Sequence, residues 1–258
     1  MQRSEHAAWV LSVFAATSST SRFYVDLAAN HPTHQSSTNE LEMNGWRGLC
    51  IEPNPHFAKL LRAQRTCTVA EVTVDRIERH MPFDFGGGEM GGIVDRSFDN
   101  RGTNGAHVKT VWTRRLQDVL AEAAAPRKVD YLNLDVEGAE TAALPSSFAW
   151  NKFTFLTITI ERPPPDLSQR LFRHGYLFVK IIGIADVAYI HASHPNASLI
   201  AANDTFVQVP AKCRNHWTSF AERQPLKGVH CASIFGCCTF PGYPQSMTRY
   251  MHPHHPAF

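Results

Sequence analysis

Short apolar segments alternate with segments of helical periodicity from Arg22 onward, and this alternation limits the folds open to the chain. The apolar segments predict strands at residues 23–29, 49–52, 67–74, 129–135 and 153–161. Two more predicted strands, 176–182 and 187–191, flank a tight turn at Gly183 and should pair antiparallel. Strands that alternate with helices form a sheet with helices on both faces. We therefore predict an α/β fold with a doubly wound, mostly parallel sheet and an antiparallel terminal strand pair.

Helix boundaries carry their own signals. Ser37 and Glu40 have the spacing of a capping box, which predicts a short helix beginning at Ser37. Asn54 followed by Pro55 predicts an N-cap and the first residue of another helix. Further helices are predicted at residues 116–123, 139–144 and 166–174, the last of them ended by Gly175.

The predicted sheet divides the chain into three parts. Residues 1–21 precede the first strand, and their apolar stretch from Ala7 to Ala16 is consistent with a signal peptide or, as we prefer, a covering helix. Residues 22–193 form the main domain, and residues 194–258 a Pro-, His- and Cys-containing extension. No apolar run approaches the ~20 residues that a membrane helix needs. We expect a soluble protein, and favour the cytoplasm over secretion.

Residues 75–107 interrupt the alternation and contain five glycines between Gly86 and Gly92. No Gly-Lys-Ser/Thr sequence follows them, so this is not a nucleotide-binding P-loop. Two interpretations stay open: a flexible insertion, which we favour, and a lid that contacts a ligand.

The six cysteines leave the redox state open. Cys50 and Cys67 lie in apolar, strand-like stretches, where cysteine behaves as a small hydrophobic residue. The other four lie near His216 and His230, and free thiols, disulfides and a zinc site are all possible for them; they are Cys213, Cys231, Cys237 and Cys238. We favour free thiols and assign no metal site.

The charge balance excludes one class of partner. Lys+Arg total 25 and Asp+Glu 23, so the chain lacks the basic excess typical of nucleic-acid-binding proteins. We predict no nucleic-acid partner, and the sequence does not indicate an oligomeric state.

Acidic residues lie in or at the ends of the first five predicted strands: Asp26, Glu52, Asp75, Asp135 and Glu161. In an open α/β sheet, ligands bind beyond the carboxyl ends of the strands. Five acids at this edge predict a lined cleft. Glu52 lies 26 residues after Asp26, near the spacing at which a carboxylate accepts the hydroxyls of a cofactor ribose.

The first strand-to-helix loop indicates which cofactor fits. It lacks the Gly-x-Gly-x-x-Gly pattern of NAD and FAD sites. Small Ala28 and Ala29 still permit close approach of a ligand without phosphate, such as S-adenosylmethionine. Asp26 and Asn30 could hold its amino-acid end, and we place Asp75 beside its adenine.

Several motifs in fixed order resemble the FkbM-type S-adenosylmethionine-dependent methyltransferases. They include FYVDLAAN, GWRGLCIEPNP, LDVEGAE and ITIERP, and the resemblance covers residues 22–192. It implies a Rossmann-like fold and O-methylation of a small molecule, sugar or lipid. By this resemblance Asp26, Ala28, Asn30 and Glu52 match the cofactor-binding segments. Asp135, Glu137 and Glu140 match the acidic segment.

The chain departs from the family in the first loop. The family usually has glycine where Ala28 stands, and an acidic residue followed by glycine near His31 and Pro32. Pro32 stiffens a loop that normally flexes around the methionine moiety. The alternative to an active enzyme is therefore a catalytically silent binding or scaffold protein with the same fold.

Methyl transfer to a hydroxyl needs alignment and help with the hydroxyl proton. Asp135 is the first candidate, as general base or, paired with Glu161, as an oxygen ligand of a hard divalent cation. Its alternative role is to cap the turn at Glu137-Gly138. His31 is a further candidate base. Glu140 is expected on a solvated helix face.

Overall fold

The fold was obtained as a computed structural model, which describes residues 4–17, 21–100, 105–183 and 186–203. The chain divides into two compact units, residues 1–161 and 162–258. The first unit contains α1 (Glu5–Phe14), β1 (Phe23–Leu27), α2 (Asn39–Met43), β2 (Arg47–Ile51), α3 (Pro55–Gln64), β3 (Thr68–Ala70), β4 (Thr73–Val74), β5 (His80–Asp84), β6 (Gly92–Ile93), β7 (Val108–Arg114), α4 (Leu116–Glu122), β8 (Lys128–Leu134), α5 (Glu140–Ala143) and β9 (Thr154–Glu161). The second contains α6 (Pro165–Arg173), β10 (Tyr176–Ile182), β11 (Asp186–His191) and α7 (Ala197–Asn203).

The main sheet of the first unit is parallel, as predicted. β1 pairs with β2 on one side and with β8 on the other, while β3 extends the sheet beyond β2 and β9 extends it beyond β8. The chain thus reverses its direction of travel across the sheet at β1. In such sheets the carboxyl ends of the two strands at the reversal form a crevice. The mixed α/β class and the mostly parallel sheet are confirmed.

The core of this sheet consists of buried strand residues that are mostly apolar on both faces, as expected for a sheet covered by helices. In β8 every residue from Val129 to Leu134 is buried, and in β1 every residue from Tyr24 to Leu27. The N-terminal helix α1 is capped by Ser4, whose hydroxyl accepts from the Ala7 N–H. It buries Phe14 edge-on against Trp46, with ring centroids 5.3 Å apart.

The predicted third strand is wrong in its extent. It divides into β3, which pairs with β2, and β4, which pairs with β7. β4 belongs to a second, four-stranded sheet with the order β4-β7-β5-β6. β5, β6 and β7 were absent from the predicted strands.

The preferred interpretation of residues 75–107 as a flexible insertion is also wrong for the part that the structure describes. Its apolar residues bury against Ala139 and Ala142 of the first unit; they are Met81, Phe83, Ile93 and Phe98. The alternation of Met81, Phe83 and Phe85 was the available signal. The glycines form a turn with a short 3-10 helix, Gly88–Met90.

The two capping predictions have different outcomes. Asn54 caps α3 as predicted, and its side chain accepts from the His56 N–H at 3.0 Å. The capping box at Ser37 is wrong because α2 begins at Asn39. The Ser36 hydroxyl instead accepts from the backbone N–H groups of Thr38 and Asn39.

Cys50 and Cys67 form a disulfide, so the prediction that they are free, hydrophobic cysteines is wrong. Cys50 lies on β2, and Cys67 directly precedes β3. Because β3 pairs with β2, with Leu49 opposite Thr68, the two Cα atoms come within 6.0 Å. This distance is typical of disulfides. Cys213, Cys231, Cys237 and Cys238 lie outside the described residues.

In the second unit, β10 and β11 form the predicted antiparallel pair, with Tyr176 opposite His191 and Ile182 opposite Asp186. Gly175 follows α6 with a φ of 84°, as its predicted role at the end of that helix requires. Among the described residues, no helix is both long enough and apolar enough to cross a membrane.

Candidate functional site

The loop after β1 is fixed by the neighbouring strand. The backbone N–H groups of Ala28 and Ala29 donate to the carbonyl of Ile51, at 2.9 and 3.1 Å. Ala28 has a φ of 65° and Asn30 a φ of 56°, both in the left-handed region. Glycine adopts that region without steric cost, which is a physical reason for glycine at the position of Ala28. Alanine adopts it here with some strain.

Glu52 connects this loop to the start of α3. One carboxylate oxygen accepts from the Asn30 N–H at 2.8 Å, and the other from the Asn54 N–H at 2.7 Å. The residue is only 4% exposed. Burial raises the pKa of Glu52 to about 7, although both hydrogen bonds act to lower it. The carboxylate predicted to hold the ribose thus follows β2 directly, beside the loop after β1.

The Asn30 side chain lies at the same edge. Its amide nitrogen donates to the carbonyl of Glu89 at 3.0 Å. Its amide oxygen is buried and has no hydrogen-bond partner among the described residues. A buried acceptor without a donor costs free energy. A ligand that brings a donor would remove this cost.

Asp26 does not lie at the strand end. It is the fourth residue of β1, 1% exposed, opposite Cys50 and Asn133 of the neighbouring strands. Its carboxylate accepts from the Thr38 hydroxyl at 2.5 Å and from the Asn133 amide at 3.0 Å. Burial raises its pKa above the ordinary value. The contacts of this carboxylate therefore stabilise the sheet and the start of α2.

Asp75 follows a strand of the second sheet and not the third strand of the main sheet, so its predicted adenine contact stays a prediction. The strand that it follows is β4. Its two oxygens accept from the Arg79 side chain and from the Arg76 N–H, both at 2.7 Å. Sequence order alone could not reveal that the third predicted strand changes sheets.

Three acidic side chains meet beyond the ends of β8 and β9. Carboxylate oxygens of Asp135, Glu137 and Glu161 all lie within 4.8 Å of one another. The sequence analysis paired Asp135 with Glu161 as possible ligands of a cation, and the structure adds Glu137 to this group. Glu137 has a φ of 54° and Gly138 a φ of 91°, so the loop turns sharply between them. Oxygen ligands in such a group suit a hard divalent cation.

Glu140 holds that loop in place, and its predicted position on a solvated helix face is wrong. The residue is 2% exposed. One of its oxygens accepts from the N–H groups of Val136 and Gly138, at 3.3 and 3.1 Å. Burial, with a contribution from the nearby Glu161 carboxylate, raises the pKa of Glu140 to about 7.

Residues 86–100 contact both strand-end loops. On one side the Glu89 carbonyl accepts from Asn30, and its carboxylate lies 3.6 Å from His34 Nδ1. On the other side the Asp99 N–H donates to the Glu137 carbonyl at 3.2 Å. This segment therefore bridges the loops after β1 and β8. The second sequence interpretation, a lid that contacts a ligand, stays a prediction.

His31 has an internal role in its loop. Its Nδ1 accepts from the N–H groups of Thr33 and His34, at 3.2 and 3.0 Å. An Nδ1 that accepts leaves the proton of a neutral ring on Nε2. His31 thus organises the turn in which the sequence placed it as a candidate base.

Two buried polar residues of this region were missed from the sequence. Asn133 accepts at its amide oxygen from Tyr131 and Thr159 and donates to Asp26, which joins β9, β8 and β1. Arg65 contacts the loop after β1. An asparagine within the apolar run VDYLNL was a signal, whereas nothing in the sequence marks Arg65.

The comparisons with known proteins agree with this arrangement. The methyltransferase FkbM domain matches residues 26–181, from near the end of β1 to near the end of β10. A search of curated proteins found no match to the chain. The FkbM match covers well over half of the 258 residues and includes both acidic strand ends described above. The chain therefore belongs to the FkbM methyltransferase domain family, and this membership supports a methyltransferase.

Proposed function

We propose that the protein is an S-adenosylmethionine-dependent O-methyltransferase with a Rossmann-like sheet. The cofactor would lie across the carboxyl ends of β1 and β2, where the direction of the sheet reverses. The observation that carries this proposal is the position of Glu52, buried directly after β2 and hydrogen-bonded to the loop after β1. Family membership supports the same cofactor.

The residues present fit this cofactor. Each Glu52 oxygen accepts one backbone N–H and retains acceptor capacity for a ribose hydroxyl. The buried, unpartnered oxygen of Asn30 suits the ammonium group of the methionine moiety. The left-handed backbone at Ala28 holds the loop close against β2, through the Ile51 carbonyl. When bound, S-adenosylmethionine supplies an electrophilic methyl group on its sulfonium.

On the acceptor side, we propose that Asp135 acts on the hydroxyl of the substrate. As a general base it would take the hydroxyl proton as the oxygen attacks. Alternatively, Asp135, Glu137 and Glu161 would share a divalent cation that lowers the pKa of the hydroxyl. Glu140 would keep Asp135 and Glu137 in position through its bonds to the loop backbone. The acceptor class we propose is a small molecule, sugar or lipid.

A catalytically silent binding or scaffold protein is the second candidate. Its specific support is the strained Ala28, together with Pro32 in the loop. Isothermal titration calorimetry of the full chain with S-adenosylmethionine tests the proposed function. An active methyltransferase requires binding in the micromolar range or tighter. Absence of binding by the folded protein would favour the scaffold.

A further inference from the structure

Arg65 is a buried cation to which neither the sequence analysis nor the proposed function assigns a role. It directly follows α3, and its side chain is 1% exposed. The guanidinium donates to five acceptors at 2.9 to 3.2 Å: the Glu42 carboxylate, the Pro32 carbonyl and the hydroxyls of Ser36, Tyr24 and Thr38. Arginine presents its donors in a rigid fork, so these contacts fix the relative positions of their acceptors.

Three of the five acceptors, Pro32, Ser36 and Thr38, lie on the loop after β1. The Pro32 carbonyl is 3.0 Å and the Ser36 hydroxyl 3.2 Å from the same guanidinium nitrogen. A third acceptor, Thr38, donates in turn to Asp26 within β1. Arg65 therefore connects the far side of the loop to the strand from which the loop starts.

The charge of Arg65 is balanced locally. Glu42 accepts from its Nε at 3.0 Å and from the Tyr24 hydroxyl at 2.6 Å. Burial raises the pKa of Tyr24 above its ordinary value, so the hydroxyl keeps the proton that it donates to Glu42. A buried charge with a partner and satisfied donors is compatible with a stable fold.

We infer that Arg65 is a positioning residue that holds the cofactor loop, residues 28–38, in its binding conformation before the ligand arrives. The inference rests on the proposed function. Pro32 limits the backbone of this loop, and Arg65 anchors its carbonyl. The opposite end is anchored by Glu52 through the Asn30 N–H. A preformed loop avoids the free-energy cost of ordering on binding. The departures at Ala28 and Pro32 are then features of a rigid loop and not signs of lost binding.

The first test compares S-adenosylmethionine affinity in the wild type, Arg65→Lys and Arg62→Ala. Lysine keeps the charge opposite Glu42 but cannot reproduce the fork to Pro32 and Ser36. We expect Arg65→Lys to bind S-adenosylmethionine at least about tenfold more weakly, because the loop would adopt its binding conformation in only part of the molecules. Arg62 pairs with Glu71 on the exposed side of α3, so Arg62→Ala should bind as the wild type does. A folded Arg65→Lys with wild-type affinity would overturn the inference.

Chemical rescue separates positioning from general destabilisation. Arg65→Ala should regain affinity when guanidinium chloride is added below the concentrations that unfold the chain, and not when sodium chloride is added. Failure of guanidinium to restore binding to the folded variant would contradict the positioning role.

Hydrogen exchange of the wild type tests the same inference and does not depend on whether a variant folds. Without cofactor, the amides of Asn30, Thr33 and His34 should exchange slowly. The first donates to the Glu52 carboxylate and the other two donate to the His31 ring. Adding S-adenosylmethionine should change their rates little. Fast exchange that slows only on binding would show that the ligand orders the loop, and would overturn the inference. If the wild type does not bind S-adenosylmethionine at all, the proposed function fails instead.

Discussion

At the scale of single residues, Glu52 is the residue that we propose to bind the cofactor ribose. Glu52→Ala would remove two proposed charge-assisted hydrogen bonds to the ribose and the bond that holds Asn30 N. We expect S-adenosylmethionine affinity to fall at least about tenfold, measured by calorimetry. Glu71→Ala is the matched control, since Glu71 pairs with Arg62 in a partly exposed position. Equal affinity of Glu52→Ala and the wild type would remove Glu52 from the cofactor site.

Asp135 should affect turnover more than binding. Asp135→Asn keeps the shape of the side chain and removes its charge. If Asp135 is the base, kcat should fall by about 10²–10⁴ while S-adenosylmethionine affinity stays nearly unchanged. If it is a metal ligand, wild-type activity should also be lost with a chelator. A folded Asp135→Asn enzyme with the wild-type rate would limit Asp135 to a capping role.

Glu140 gives the protein a specific pH dependence. The carboxyl has an ordinary pKa of 4.5 in the unfolded chain and about 7 in the folded one, because of burial. Its contribution to stability is therefore fully present below pH 4.5 and is lost as the pH rises through 7. Glutamine keeps an oxygen that can accept from Val136 and Gly138 but does not titrate. The unfolding free energy of Glu140→Gln, relative to wild type, should thus rise between pH 4.5 and 7, by at most about 1.4 kcal/mol per pH unit.

Denaturant unfolding of both proteins at several pH values measures this difference. A constant difference across the range would mean that the Glu140 carboxyl titrates alike in the folded and unfolded chains.

At the scale of structural elements, the contact between residues 86–100 and the acidic loop depends on Gly138. A Cβ at Gly138 would lie 2.8 Å from the Asp99 backbone nitrogen, at a φ of 91°. Gly45 has a similar φ of 82°, but a Cβ there would meet nothing within 4 Å. Gly45→Ala therefore measures the conformational penalty alone, about 1–2 kcal/mol. Gly138→Ala should cost clearly more in unfolding free energy. Equal costs would mean that Asp99 moves away without loss.

The sequence predicted which segments form strands and helices better than it predicted which strands pair with each other. Most strands of the main sheet and the N-cap at Asn54 followed from local patterns, and Glu52 and Asp135 followed from strand ends. The strand before Asp75 was assigned to the wrong sheet because the chain leaves the main sheet between β3 and β4. The strand β7 was missed because its exposed residues Lys109, Thr110 and Trp112 obscure the apolar alternation.

For the candidate site as well, local patterns located some residues, whereas the contacts of others depend on how distant segments pack. Local spacing located Asp135 and Glu161, but the inward direction of Glu140 depends on how α5 begins. Arg65 was missed because all five of its acceptors lie 23 or more residues away in the chain. Such contacts join the end of α3 to β1, to the loop after it and to α2, and no local pattern contains them.

At the scale of the whole molecule, the Cys50–Cys67 disulfide connects stability to redox conditions. It links residues 17 apart in sequence, and closing a loop of this size stabilises the folded state by about 3 kcal/mol. Such bonds persist in oxidising compartments, which disfavours the cytoplasmic expectation. A reductant should lower the midpoint of thermal unfolding of the wild type by several degrees. Cys50→Ala/Cys67→Ala should have a low midpoint with or without reductant, which controls for the other four cysteines. Alkylation of Cys50 and Cys67 without prior reduction, detected by peptide mass mapping, would show that the bond is absent.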